Sequence, residues 1–123
     1  MMQRRIYIAQ RRIYIAGPYS APDVLSVFSN MRRGMILATQ VRKLGFAPFC
    51  PWMDFMYYFL DQENSFDLEN CYEYSLAWLE VSDGILFTPD WRTSHGAQME
   101  HAYAIEHHIP IYYSISGLFW GEE

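Results

Sequence analysis

The sequence contains few cysteines. Cys50 and Cys71 are the 2 cysteines among 123 residues, which is too few for a disulfide scaffold. Neither has a second Cys or His at the spacing of a zinc site. We therefore expect both to be reduced thiols that pack as small apolar groups, and we expect no bound metal.

Basic residues and long apolar runs are also scarce. Lys and Arg number 9 against 14 Asp and Glu, a net charge of 9 − 14 = −5. This balance argues against a protein that neutralises the phosphates of duplex nucleic acid. The longest apolar run, at 55–60, is far shorter than the ~18 residues of a membrane span, and the N-terminus lacks the apolar block of a signal peptide. We expect a cytoplasmic protein that does not bind a membrane.

Hydrophobic residues make up 51% of the chain and aromatic residues 18%. A chain of this length and composition can build one core. The aromatic residues exceed what a small core needs, so some are expected to line a pocket or a subunit interface.

A seven-residue duplication opens the chain. Residues 3–9, QRRIYIA, are repeated without change at 10–16. The second copy runs directly into Gly17-Pro18, a signal that ends a strand. The first core strand is therefore predicted over Arg12–Ala16. Residues 1–11 are predicted to be a tail or an added edge strand, and residues 12–123 the domain.

Helical and strand patterns then alternate. A helix is predicted from the N-cap Asp23 to Gly45, with a second over Leu68 to Leu79 and a third over His95 to His108. Strands are predicted at 46–50, 85–88 and 110–113, and an aromatic loop with one or two helical turns at 52–60. The first helix has one apolar stripe, expected to face inward, which comprises Val24, Phe28, Met31, Met35, Ala38, Val41 and Leu44.

This alternation predicts a single three-layer α/β domain. Its sheet would have four to five mainly parallel strands with helices on both faces, as in Rossmann and flavodoxin folds. Ligands of such sheets bind beyond the carboxyl ends of the strands. The residues expected there are Gly17, Pro18, Tyr19 and Ser20, then Trp52 and Asp54, then Asp90, Trp91, Arg92, Ser94 and Gly96.

The third predicted helix carries most of the candidate chemistry. If Ser94 caps it, its free N–H groups point into the crevice. Glu100 lies four residues after Gly96 on the same face, and its side chain leans back over a position without one. That geometry leaves a gap of about one sugar, where a carboxylate could attack an anomeric carbon. The alternative is that Glu100 only interacts favourably with the helix dipole.

These motifs resemble a known superfamily. Three segments resemble the nucleoside 2-deoxyribosyltransferase superfamily, in particular a small uncharacterised branch with the motif W-x-x-S-x-G-A-x-x-E, and are similar in architecture to the 2′-deoxynucleoside 5′-phosphate N-hydrolases. They are residues 13–18 (IYIAGP), 91–102 (WRTSHGAQMEHA) and 110–112 (PIY). The resemblance implies that Glu100 is the nucleophile toward C1′ and that Ser94 and Gly96 bind the ligand. It also implies ligand contacts from the first loop, at Gly17, Pro18, Tyr19 and Ser20.

One position departs from the superfamily pattern. An aspartate is expected three residues before a Trp-Leu pair, where it helps to protonate the leaving base, but this chain has Ser75 before Trp78-Leu79. Either another carboxylate replaces it, with Asp54 and Asp90 better placed than Glu69, or the protein no longer catalyses. Asp83 precedes a strand, so we expect it on the far rim in a structural role.

The remaining candidates each have two interpretations. Trp52 and Trp91 could stack on a base or simply cover the core. Arg92 could bind a 5′-phosphate or be a solvated arginine. His101 is expected to be packed or solvent-facing.

Together these features predict cleavage or transfer of the N-glycosidic bond of a nucleoside or its 5′-monophosphate, without a cofactor, by a homodimer or larger homo-oligomer. The alternative is a non-catalytic protein that binds or senses a nucleotide.

Overall fold

The computed structural model describes residues 6–54, 57, 60 and 68–121. Strands and helices alternate along these residues, with short 3₁₀ turns at Pro51–Asp54 and Trp91–Thr93. The elements are β1 (Arg12–Ala16), α1 (Val24–Lys43), β2 (Ala47–Phe49), α2 (Leu68–Glu80), β3 (Gly84–Phe87), α3 (His95–Glu106), β4 (Ile111–Tyr112) and α4 (Ile115–Trp120).

The four strands form one parallel sheet in the order β2-β1-β3-β4. The first strand is central, and Tyr14 lies between Phe49 on β2 and Ile85 on β3. Parallel strands need crossover connections, and the helices supply them. The predicted Rossmann or flavodoxin type of α/β fold is therefore confirmed.

The side chains of β1 alternate between two separate cores. Ile13 and Ile15 belong to the core under α1 and α4, whereas Tyr14 and Ala16 belong to the core under α2 and α3. The alternation follows from the period of two in a strand. One strand thus contributes to both faces of the sheet, and the positions of its residues determine which face receives a polar group.

The ends of α1 are as expected. The Asp23 side chain accepts a hydrogen bond from the Ser26 amide at 2.8 Å, which satisfies an N–H at the start of the helix. Gly45 follows the helix with φ +94°, a backbone conformation that favours glycine.

The predicted inward stripe of α1 is confirmed at Met31, Ala38 and Val41 and wrong at its other four positions. Met31 packs against the core and Ala38 and Val41 are buried, whereas Val24, Phe28, Met35 and Leu44 are exposed. Gly34, which was not part of the predicted stripe, is buried. The reason lies at Gly34, because the Trp52 ring occupies the space where a Cβ would stand, with the nearest ring atom 2.3 Å from that position. This contact turns the Gly34 side of the helix inward.

The described part of the first repeat copy forms no strand. Ile6 and Ile8 are 83% and 87% exposed, so residues 6–9 agree with a tail, while residues 3–5 lie outside the described residues. The expected aromatic loop at 52–60 lies partly outside the described residues. Within the described ranges, no helix is long and apolar enough to cross a membrane.

Candidate functional site

Glu100 projects from the second turn of α3 into the interior. Ser94 caps this helix, as predicted, and its Oγ accepts a hydrogen bond from the Ala97 amide at 3.1 Å. Glu100 is only 7% exposed. Carboxyl groups are rarely buried to this extent unless polar partners surround them, so this side chain marks the site.

Two further buried polar side chains lie near Glu100. Tyr14 reaches the site from the centre of β1 and Ser75 from α2, and they are 0% and 8% exposed. Glu100 and Ser75 both influence the pKa of the Tyr14 hydroxyl, which shows that the three side chains are close together. Tyr14, Ser75 and Glu100, here called the polar trio, therefore join three elements on the α2 and α3 face of the sheet.

The environment keeps Tyr14 protonated. Burial is the main cause that raises the pKa of the Tyr14 hydroxyl well above 10, and the Glu100 carboxylate adds to the rise. The Tyr14 oxygen meets no described residue at strict hydrogen-bond geometry, yet it is close enough for both neighbours to act on it. A neutral phenol beside a carboxylate can donate a hydrogen bond to it, so Tyr14 is suited to orient Glu100.

The first loop approaches the end of β3 closely. A Cβ at Gly17 would stand 2.3 Å from the Thr88 Oγ1, so only glycine allows the loop to pass at this point. The side chain of Asn30, on α1, donates to the carbonyl oxygens of Tyr19 at 3.3 Å and Ser20 at 3.5 Å. These contacts hold the loop that includes Pro18 at the carboxyl edge of the sheet.

The Gly96 position adjoins an aromatic ring. A Cβ there would lie 3.4 Å from the Tyr72 ring of α2, so this ring packs against the position beside Glu100 where the sequence predicts a gap. The ring of His95 lies edge-on to Tyr72, with centroids 6.4 Å apart. The start of α3 therefore has an aromatic wall as well as its capping serine.

Asp90 is not grouped with the polar trio. It forms an ion pair with Arg33 at 3.1 Å and accepts a hydrogen bond from the Thr88 hydroxyl at 2.8 Å. Arg33 belongs to α1, on the opposite face of the sheet from α2 and α3. Asp54 ends the 3₁₀ turn after β2, but its side chain, like that of Glu69, lies outside the described residues.

Asp83 has the structural role predicted for it. Its carboxylate accepts a hydrogen bond from the Arg12 amide at 2.6 Å and lies 3.5 Å from the Arg12 guanidinium. The first of these contacts is the main cause that lowers the pKa of Asp83. The residue joins the starts of β1 and β3, at the amino edge of the sheet.

Both candidate tryptophans lie in the cores. Trp52 is 2% exposed and packs on Gly34, and Trp91 packs on Phe87 with centroids 4.8 Å apart. The Arg92 guanidinium lies over the Trp91 ring, 4.9 Å from its centroid. Of the two interpretations for each tryptophan, covering the core is the one that agrees with this packing.

His101 is packed, as expected. It stacks on Trp91 at 4.4 Å, and its Nε2 is 2.8 Å from the Tyr113 hydroxyl oxygen. Desolvation is the first cause that lowers the pKa of His101, and the charge of Arg92 is the second. The described residues contain no group of three His, Cys, Asp or Glu side chains that could hold a metal ion.

Sequence reasoning missed Tyr14. A tyrosine between two isoleucines in a strand has the pattern of an ordinary core residue, and its one polar atom gives no pattern along the chain. The available signal is the alternation of side chains along a strand, which places Tyr14 on the opposite face from Ile13 and Ile15. Only the structure shows that the helix with Glu100 covers that face.

Comparisons with known proteins agree with the fold. The chain is similar to a conserved protein from Enterococcus faecalis V583, known from its crystal structure, with 20% identity and a TM-score of 0.65. The match covers 84% of this chain and 62% of that one, so this chain spans less than two thirds of its length. No curated protein matches. A family model described as a domain of unknown function (DUF7768) matches residues 11–114, and the chain therefore belongs to this family.

Proposed function

We propose that this domain cleaves or transfers the N-glycosidic bond of a nucleoside or its 5′-monophosphate, with Glu100 as the nucleophile toward C1′. The observation that carries the proposal is the buried Glu100 carboxyl beside Tyr14 and Ser75. A carboxylate held away from bulk water and oriented by a neutral phenol is a suitable nucleophile for a sugar carbon. The resemblance to nucleoside 2-deoxyribosyltransferases supports the same role.

The proposed reaction has two steps. A Glu100 carboxylate oxygen bonds to C1′ while the bond from C1′ to the base nitrogen breaks, and the base leaves with the electron pair and takes up a proton. Water then bonds to C1′ while the ester bond from C1′ to Glu100 breaks and returns the carboxylate. The proton that the water loses balances the one that the base took up, and this outcome makes the protein a hydrolase. Attack by a second base would make it a transferase.

Each remaining group has a part in this scheme. The Tyr14 hydroxyl, whose pKa the Glu100 carboxylate raises, would donate a hydrogen bond to that carboxylate when the ligand is bound and so orient it for attack. Ser94, Gly96 and the first loop from Gly17 to Ser20 would contact the sugar or its phosphate, because they surround the carboxyl edge near the start of α3. Arg92, exposed on the turn before Ser94, is the cation nearest in sequence to that helix start and would attract a 5′-phosphate.

The scheme also needs an acid that protonates the leaving base. Ser75 occupies the position where the resemblance implies an aspartate, and a serine hydroxyl does not ionise at neutral pH. Asp90 is engaged with Arg33 and Thr88 toward α1. Asp54, which ends the 3₁₀ turn after β2, a strand next to β1, is then the better candidate for the acid.

A specific observation favours a second candidate function. The polar trio contains one carboxyl and two hydroxyls. These groups can form hydrogen bonds to a nucleotide, but the trio has no second carboxyl to protonate a leaving base. On this view the domain is a nucleotide-binding or sensing module with a degenerate site. It predicts that ligands raise the melting temperature without any release of base.

The test is chromatographic detection of free base. The protein is incubated with a panel of ribo- and deoxyribonucleosides and their 5′-monophosphates, beside the Glu100→Gln variant. Glu106→Gln is the matched control, because it removes the same charge from an exposed position on the same helix. We expect release by the parent and by Glu106→Gln, and a loss of at least about a thousandfold in Glu100→Gln.

Two results would overturn the proposal. Release that persists in Glu100→Gln would remove Glu100 from the reaction. No release from any compound, with some compounds still raising the melting temperature, would favour the binding module instead.

A further inference from the structure

The duplicated segment has one copy inside the sheet and one outside it. The second copy forms β1, with Ile13 and Ile15 fully buried, while Ile6 and Ile8 of the first copy stand in solvent. The two copies are identical over seven residues. Every side chain and backbone group that the second copy gives to β1 is therefore also available seven residues earlier.

We propose that the central strand has two alternative registers, one for each copy, and that Gly17 selects the second. In the alternative register, residues 5–9 occupy the place of Arg12–Ala16. Tyr7 then replaces Tyr14, and Ile6 and Ile8 replace Ile13 and Ile15. This inference does not depend on the proposed function.

The residue after the strand distinguishes the registers. Gly17 follows the second copy and Gln10 follows the first. A Cβ at Gly17 would stand 2.3 Å from the Thr88 Oγ1 and 2.7 Å from its Cγ2. The Thr88 hydroxyl is also held by Asp90 at 2.8 Å, so it does not turn aside freely. Gln10 at this place would collide with Thr88, which disfavours the first copy.

The length of the connection between the strand and α1 favours the second copy only slightly. It contains residues 17–23 in the observed register and would contain residues 10–23 in the alternative one, twice as many. Doubling a flexible loop changes the equilibrium constant by only about threefold. The collision at Thr88 is therefore the principal barrier.

The test disables one copy at a time in the full chain. Ile15→Asp places a charge at a fully buried position of β1, whereas Ile8→Asp changes the exposed counterpart. Far-UV circular dichroism and thermal unfolding are recorded for the two single variants and for the double variant. Gln10→Gly is then added to Ile15→Asp and to the double variant, and the same measurements are made. Gel filtration at two concentrations shows whether folded protein is monomeric.

We expect Ile8→Asp to melt like the parent and the double variant to lose cooperative unfolding. Ile15→Asp with Gln10→Gly should unfold cooperatively, because the first copy then fills the strand position without meeting Thr88. The addition of Ile8→Asp should abolish that rescue. If Ile15→Asp is equally unfolded with and without Ile8→Asp, even when Gln10→Gly is present, the proposal is wrong. Rescue confined to a dimer would also overturn it, since the strand would then come from a second chain.

Discussion

The two faces of the sheet differ in what they bury. Toward α1 and α4, the core comprises apolar side chains such as Ile13, Ile15 and Leu86. Toward α2 and α3, Tyr14 leaves the same strand and meets Ser75 and Glu100. A polar group in a protein interior lowers stability unless it is satisfied. Both faces have an apolar core, but the α2 and α3 face also buries the Glu100 carboxyl, and we expect this burial to lower the contribution of that face to stability.

The largest effect on stability is expected on the apolar face. Leu86→Ala removes a fully buried side chain of β3 and should lower the free energy of unfolding by about 2–5 kcal/mol. Chemical denaturation followed by circular dichroism measures this change. Glu100→Gln is the contrasting variant, since an amide is cheaper to bury than a charged carboxylate, and its stability should equal or exceed that of the parent. A larger loss in Glu100→Gln than in Leu86→Ala would contradict this difference between the two faces.

The contact between α1 and Trp52 should invert an ordinary helix rule. Alanine in place of a helical glycine usually stabilises by up to about 1 kcal/mol. At Gly34, however, the new Cβ would collide with the Trp52 ring, so Gly34→Ala should destabilise by about 1–3 kcal/mol. Denaturation in a Trp52→Leu background provides the control, where the penalty should largely disappear. A stabilising Gly34→Ala in the parent would show that the ring does not pack as described.

Tyr14→Phe tests the polar face without changing its shape. If the hydroxyl orients Glu100, its removal should lower kcat for base release by about tenfold to a hundredfold, which corresponds to about 1.4–2.7 kcal/mol. At neutral pH, the melting temperature should change little.

Alkaline pH gives a second measurement on the same variant. The folded-state pKa of Tyr14 is raised above 10, so its contribution to stability is complete below about pH 10 and is lost as the pH rises through the folded-state value. The parent should therefore lose stability more steeply than Tyr14→Phe above about pH 10. Parallel curves for the two proteins would contradict the burial of a neutral phenol.

The smallest effect is expected at the amino edge of the sheet. Hydrogen bonding from the Arg12 amide lowers the pKa of Asp83, so its stabilisation is complete above about pH 4 and is lost as the pH falls through the lowered value. Asp83→Asn should cost about 1 kcal/mol or less at neutral pH, because the pair is solvent-screened. The difference between the two proteins should vanish toward pH 2, as thermal unfolding across pH would show. A difference that grows on acidification would contradict this sign.

The sequence predicted the sheet well because its signals are local. Gly17-Pro18 ends β1, Asp23 starts α1 and Gly45 ends it, and each acts through its own backbone preference. The exposed apolar positions of α1 were not predictable in this way. The periodicity at Val24, Phe28 and Met35 is regular, but it carries no information on the packing of Trp52 against Gly34, which joins two separate elements.

The site was predicted in part. Glu100 and Ser94, the residue that caps its helix, could be predicted together because helix geometry relates positions four to six residues apart. Tyr14 and Ser75 could not be joined to Glu100 from the sequence, since the three residues lie on separate elements and only the sheet register brings them together. The two aromatic candidates, Trp52 and Trp91, follow strand ends, but three-dimensional packing draws both into the cores.

Mass spectrometry of acid-quenched protein tests the central claim most directly. The protein is mixed with a nucleoside or nucleotide that releases base, quenched during turnover and digested with trypsin, which leaves Glu100 in the peptide of residues 93–123 because no Lys or Arg follows Arg92. The account predicts a sugar adduct that fragmentation assigns to Glu100 and that is absent from Glu100→Gln. Base release with an unmodified Glu100, or with the adduct on another residue, would contradict it.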